Sequence, residues 1–298
     1  MGFGFWDFHK GIIDRMLRRQ RTGSVICSSC GVLVGVNDDK CYNCGRRSPG
    51  LWGFAPLLRS LGRDLGLVPF IIGTCVIVYV LTLIASKGML GQGGALSFLG
   101  PDPRALLLFG ESGAVPIFIY HRWWTVLSAA WLHAGLLHIL FNMMAVRQLA
   151  PPTAEFYGPG RTVIIYTAGS IVGFALSSCA ALFLPALPFL HGSSYTVGAS
   201  ASICGLIGAL LYYGHRTGSA IVRSEATRFI IMIGVYGLIM PGIDNYAHAG
   251  GIGGGYLAAM LMDPMKPERG DHILIALICL ALSIGSIALS VFTALQPV

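Results

Sequence analysis

Seven apolar stretches separated by polar or basic loops leave this chain few ways to fold. They run over residues 67–86, 136–149, 161–184, 198–214, 228–240, 247–262 and 273–295. Of 298 residues, 11% are charged and 54% hydrophobic, too little polar surface to cover a soluble globule. A backbone in hydrocarbon must satisfy its own hydrogen bonds, so stretches of this kind fold as helices, and the chain reads as an all-α polytopic membrane protein. Several stretches fall short of the roughly 20 residues that a crossing needs. The second and fifth take flanking residues to reach across.

Orientation follows from lysine and arginine, which stay on the cytoplasmic side in short loops. With the N-terminus inside, Arg15, Arg46, Arg63, Arg147, Arg161, Arg216, Arg223, Arg228, Lys266 and Arg269 all fall inside, whereas Lys87, Arg104 and Arg122 fall outside. The net charge of +7 then reports topology and contact with the anionic lipid bilayer, with no nucleic acid expected as a partner. The expectation is a multi-pass protein of the cell membrane, its C-terminus outside the cytoplasm. No apolar core of the signal-peptide kind stands within the first 60 residues, so the first stretch is expected to direct insertion itself. Residues 5–20 mix Phe5, Phe8, Ile12 and Met16 with basic residues. A helix lying on the inner leaflet and a frayed basic tail both account for that pattern.

Cys27, Cys30, Cys41 and Cys44 form two Cys-x-x-Cys knuckles, each followed by glycine (Gly31, Gly45). Two thiolates on each tight turn, facing each other, make the tetrahedral sulfur cage that zinc prefers. The other reading is two disulfides, which the reducing cytosol disfavours. A closed four-thiolate site leaves no position for water, so the zinc is expected to be structural, stabilising a ribbon too small for an apolar core. Cys75, Cys179 and Cys279 read as small buried hydrophobes.

Ser200 and His248 lie near the ends of two separate apolar stretches. In hydrocarbon both are costly, and a mutual hydrogen bond as nucleophile and base satisfies them at once. His138 and Asn142 stand four apart on one helix face and point the same way. Such a pair can aim donors at a developing oxyanion, or simply join helices. Ala247, Gly251, Gly255 and Ala259 recur every fourth position beside His248. That smooth stripe permits close contact with the helix of Ser200, Gly205 and Ala209, close enough for a serine to imidazole bond of about 3 Å. Ser202 is expected to bond a carbonyl of the preceding turn, His133 to order its loop, and Asp244 to be a helix cap or a solvated charge.

Four motifs together carry a family resemblance. They are His121-Arg122-Trp123-Trp124, the run from His133 to Asn142, Gly198-Ala199-Ser200-Ala201, and Ala247-His248-Ala249-Gly250-Gly251. Over about residues 122–262 the chain resembles the rhomboid intramembrane serine proteases. The resemblance implies a six-helix bundle, here with one additional C-terminal helix, in which Ser200 is the nucleophile and His248 the base. His138, Asn142 and the Ser200 N–H would form the oxyanion hole, and catalysis would need no cofactor. Substrates would be single-span membrane proteins cut near the outer end of their helices, with small residues at the cut. The chain departs from the family at Ala201, where a glycine is usual, and at Cys204, where some members carry tyrosine.

The organisation expected is a basic segment over 1–22, a zinc ribbon over 23–50, a linker over 51–66, a catalytic membrane domain over 67–262, and a loop with a seventh membrane helix over 263–298. The loop over 88–125 is expected to be partly embedded. A silent relative that binds and escorts membrane clients is the alternative, favoured only by Ala201 and Cys204. A transporter would show charged pairs or repeats across several stretches, and neither is present.

Overall fold

The computed structural model describes residues 20–27, 30–54, 64, 66–86, 98–184, 190–240 and 242–295. The amphipathic segment expected over 5–20 lies outside them except for Gln20. The chain divides into two compact units, one holding the described residues up to Gly66 with Met265–Glu268, the other Leu67–Pro264 and the chain from Arg269 on.

The first unit is a ribbon. Strand β1 (Ser24–Ile26) pairs antiparallel with β2 (Leu33–Gly35), Val25 opposite Val34. Val25, Val34 and Val36 are buried against Cys27 and Cys41, so its small core is built around the cysteines. Gly31 and Gly45 adopt left-handed φ of 77° and 71°, and their N–H groups donate to Cys27 O and Cys41 O. Only glycine takes that conformation at low cost, which is why each knuckle closes on one.

The second unit is all helical. Its elements are α1 (Leu67–Ala85), α2 (Pro103–Phe109), α3 (Thr125–Ser128), α4 (Leu136–Tyr157), α5 (Pro159–Phe183), α6 (Ser200–Thr217), α7 (Ala220–Ile239), α8 (Asn245–Leu261) and α9 (Gly270–Leu295). Each of the seven apolar stretches is a helix. By length and hydropathy alone, α1, α5 and α9 could each cross a membrane. A fourth crossing is possible if α4 and the segment Thr125–Trp131 before it, bent by 94°, count as one span. Of the remaining helices, α6 and α8 carry glycine, serine and histidine in place of uniform hydrocarbon and are buried along one or more faces, whereas α7 is largely exposed, with only Ala226 and Gly237 buried.

Two boundaries differ from the sequence reading. Helix α4 continues to Tyr157 through Pro151 and Pro152, with the Thr153 hydroxyl donating to Leu149 O at 2.7 Å. Helix α7 starts at Ala220, eight residues before its apolar run, because Ser219 caps it by accepting from Val222 N. The loop before α4 is also more structured than its composition suggests. It holds α2, capped by Asp102, a π turn (Val115–Ile119), α3 and a 3-10 turn (Ala129–Trp131).

Lipid tails offer no hydrophobic gain to helix association, so these helices are held by close packing and hydrogen bonds. Helix α8 lies against α5 and α6, and glycines set the approach. A methyl at Gly255 would overlap the Gly205 carbonyl, one at Gly251 the Ala201 carbonyl, and one at Gly250 would lie 2.8 Å from Val172 O. Arg161, buried on α5, ties the far ends of two helices. Its Nε donates to Tyr157 O at the end of α4, and its Nη1 donates to Met262 O and Asp263 O, 3.0 Å each, beyond α8. From sequence alone Arg161 counts only as a topology charge. Cys75 is buried as expected, whereas Cys179 is exposed on α5.

Candidate functional site

The geometry of the membrane site starts at Gly198. Its φ of +133° belongs to glycine, and its N–H donates to Ala129 O at 2.9 Å. A methyl built there would lie 2.7 Å from His138 Nε2 and 3.6 Å from Ser200 Oγ. The two side chains therefore converge on one small space that only a glycine leaves open.

Each is held from its own side. His138 sits in the first turn of α4, its Nδ1 accepting from Ala134 N at 3.4 Å, so Nε2 carries the proton that faces the space. The ring of His133, fully buried, packs edge-on against His138 with centroids 5.3 Å apart. His133 thus braces the histidine that faces the site as well as its own loop. Asn142, buried one turn on, donates one amide hydrogen to His138 O at 2.9 Å and keeps a second. Ser200 is the first residue of α6, and no side chain caps that helix. Its first-turn N–H groups have no partner within the helix and suit an oxyanion.

His248 enters from α8, one turn from the N-terminus and near enough to His138 for the two rings to interact electrostatically. Its Nδ1 is buried without a hydrogen-bond partner, and no bond joins the ring to Ser200 Oγ. The direct serine to imidazole bond read from the stripe is therefore not made in this resting arrangement, in which catalytic hydrogen bonds are often loose. The stripe itself contacts α6 as expected, Gly251 meeting Ala201 and Gly255 meeting Gly205.

Asp244 is the cap foreseen for α8, accepting from Ala247 N at 2.9 Å, and it does more. Its second oxygen accepts from Ser177 Oγ of α5 at 2.6 Å, and Ser177 Oγ accepts from Ser193 N at 3.1 Å. One carboxylate thus joins the start of α8, the last turns of α5 and the loop leading to Ser200. Nothing local to Ser177 or Ser193 announces this pairing.

Two departures from the family pattern have places in the packing. The methyl of Ala201 lies against Gly173 of α5, which has no side chain to oppose it. Cys204 packs on Gly251. Ser202 differs from its expected role. Its hydroxyl is buried without a bond to the preceding turn and faces Tyr166.

The ribbon presents a second candidate site, for a metal. The sulfurs of Cys27, Cys30, Cys41 and Cys44 all lie within 4.8 Å of one another. Cys27 to Cys44 is 3.8 Å and Cys30 to Cys41 is 3.6 Å, too long for disulfides. Four sulfurs about 2.3 Å from a tetrahedral zinc would stand about 3.8 Å apart, so the donor set fits. Burial and the neighbouring thiols push the Cys44 thiol up to about 12, while at Cys30 burial is outweighed by hydrogen bonds from Val32, Asn43 and the other thiols, holding it at about 6. A cation among the four would convert them all to thiolates.

Residues 120–264 match a family model described as "Rhomboid domain". The chain is 32% identical over 168 residues to "Rhomboid protease GluP" of Bacillus subtilis (strain 168), covering 55% of this chain and 31% of that one. It is 32% identical over 178 residues to "RHOMBOID-like protein 6, mitochondrial" of Arabidopsis thaliana (58% of this chain, 54% of that one). It is 29% identical over 223 residues to "RHOMBOID-like protein 4" of the same plant (68% and 54%). The matches thus span from a third to about half of these relatives' lengths.

Proposed function

We propose, from the match of residues 120–264 to the rhomboid-domain model, that this chain is an intramembrane serine endopeptidase working through a Ser200–His248 dyad. The observation that carries this reading is the convergence of Ser200 Oγ and His138 Nε2 over Gly198. His248 takes the proton from Ser200 Oγ as the oxygen attacks a peptide carbonyl. The tetrahedral oxyanion accepts from His138 Nε2, the free Asn142 amide hydrogen and the Ser200 N–H. His248 then protonates the leaving amine, and water hydrolyses the acyl-enzyme with His248 again as base. Asp244 bonds Ser177 and the start of α8, so it positions that helix and is no third member of a triad.

Substrates are membrane proteins whose single span unwinds near its outer end, since a helical peptide bond is closed to attack. Basic residues at the far ends of α5 and α6 support an inside N-terminus and a site opening outward, in the cell membrane. The ribbon holds one structural Zn²⁺ on Cys27, Cys30, Cys41 and Cys44, and the metal takes no part in cleavage.

The test is incubation of the purified protein, reconstituted in lipid, with a generic single-span substrate, scored by gel. Cleavage by the parent but by neither Ser200→Ala nor His248→Ala supports the dyad. A folded, monodisperse parent that cleaves nothing in repeated substrates overturns it and leaves client binding as the reading.

A further inference from the structure

Helix α9 lies outside residues 120–264, which match the rhomboid-domain model. It packs against α5, α3 and α2, and the face it turns inward carries Ser283, Ser286 and Ser290, all buried. Ser283 and Ser286 return their hydroxyls to their own helix, bonding Cys279 O and Ser283 O. Ser290 does so too, donating to Ser286 O at 2.8 Å, but its oxygen also accepts from Trp124 Nε1 at 2.9 Å.

That contact is the first of a continuous set. Trp124 precedes α3 in the loop ahead of α4. Beneath it Gly110 leaves room for Ser290 and Ser128, since a methyl there would lie 2.6 Å from Ser290 Oγ. Ser128 Oγ donates to Gly110 O at 2.7 Å, and Thr125 Oγ1 meets Ser112 Oγ at 3.3 Å. Ser112 exchanges both backbone hydrogen bonds with Thr196, at 3.1 and 2.8 Å, while Ala114 and Val115 donate to Ser193 O and Ser194 O. Two residues on, Gly198 N donates to Ala129 O and forms the floor under His138 Nε2 and Ser200 Oγ.

We infer that α9 is a strut for the active site, and that Ser290 and Trp124 are positioning residues through which it holds the loop beneath the oxyanion pocket. The inference rests on the protease reading for its kinetic consequence, but its mechanical content is independent of it. Among the described residues Trp124 Nε1 donates to Ser290 Oγ alone, and changing Ser290 removes that bond between the loop and α9.

The test uses the full chain in lipid with four variants: Ser290→Ala, Trp124→Phe, the double variant, and Ser283→Ala as a control on the same buried face. Cleavage kinetics and amide hydrogen exchange of residues 110–131 and 193–198 are both read. One hydrogen bond of ordinary strength corresponds to a loss of about five-fold in kcat for either single variant. The double variant should lose about the same five-fold, because both singles break one bond. KM should stay at the parent value, Ser283→Ala should keep the parent kcat and exchange, the midpoints of the Ser290→Ala and Trp124→Phe proteins should fall by no more than about 4 °C, and exchange should rise in both segments. Singles that match the parent in both readouts, or a double variant whose loss is the product of the singles, overturn the strut. If the parent itself cleaves nothing, the protease reading fails and exchange alone decides: raised in both segments upholds the strut, unchanged refutes it.

Discussion

Replacing Gly198 by alanine should remove most of the activity while leaving the fold in place. Two costs follow from the structure. The φ of +133° is hostile to any side chain, a strain of about 1–3 kcal/mol. The methyl would also sit 2.7 Å from His138 Nε2 and 2.8 Å from its Cε1, where ordinary contact begins at 3.4 Å. The imidazole has nowhere to retreat, since Ala134 N holds Nδ1 at 3.4 Å and His133 closes the ring's other side at 5.3 Å. Nor can the glycine withdraw, being tied to Ala129 O at 2.9 Å. Either the donor is displaced or the methyl occupies the place of the oxyanion. Loss of one such donor costs about 10²–10³ in kcat, so a hundred-fold drop is the smallest effect expected, with KM little changed. Initial rates on a single-span substrate in vesicles measure it, with thermal unfolding in detergent and Gly73→Ala, whose added methyl meets nothing within 4 Å, as controls. A Gly198→Ala protein that unfolds normally and cleaves within about three-fold of the parent would refute the placement of the oxyanion against His138.

Gly255→Ala should act on stability first, since its methyl would overlap the Gly205 carbonyl and force α8 from α6. Overpacking of this kind costs about 1–3 kcal/mol, seen as a lowered unfolding midpoint together with slower cleavage. The Glu111 carboxyl, in the turn after α2, is pushed up to about 8 by burial. A carboxyl bound more tightly to its proton in the folded state adds stability that is complete below the usual carboxylate value and lost as pH rises through about 8. The parent's midpoint should therefore fall from pH 5 to pH 8 more steeply than that of Glu111→Gln, and parallel curves would count against a buried, protonated Glu111. Metal analysis of the purified chain should find one zinc, absent from Cys41→Ser. Cobalt substitution should give the absorption of a tetrahedral thiolate site, and octahedral spectra would exclude the four-sulfur cage.

Much of this protein is written locally. Hydrocarbon leaves a backbone one economical choice, so each apolar stretch had to be a helix whatever its neighbours. Two Cys-x-x-Cys turns closed by glycine already contain most of a metal site, because both knuckles are short-range structures. The four-residue spacing of His138 and Asn142, and of Gly251 and Gly255, likewise assigns helix faces without any tertiary information. The bend before α4 and the start of α7 escaped notice because they depend on caps and short turns that carry no hydropathy signal.

What the fold alone decided are the pairings between distant segments. Trp124 and Ser290 stand 166 residues apart, Arg161 and the end of α8 about a hundred, and Ser177 and Asp244 67. Each is a polar side chain whose partner is set by how α3, α5, α8 and α9 cross, and crossing is decided by which glycines touch. The meeting of His138 with Ser200 over Gly198 is of the same kind. The sequence contains both side chains, but only the packed bundle brings them to one point, because in lipid the approach of two helices is limited by atomic contact and a single methyl changes it.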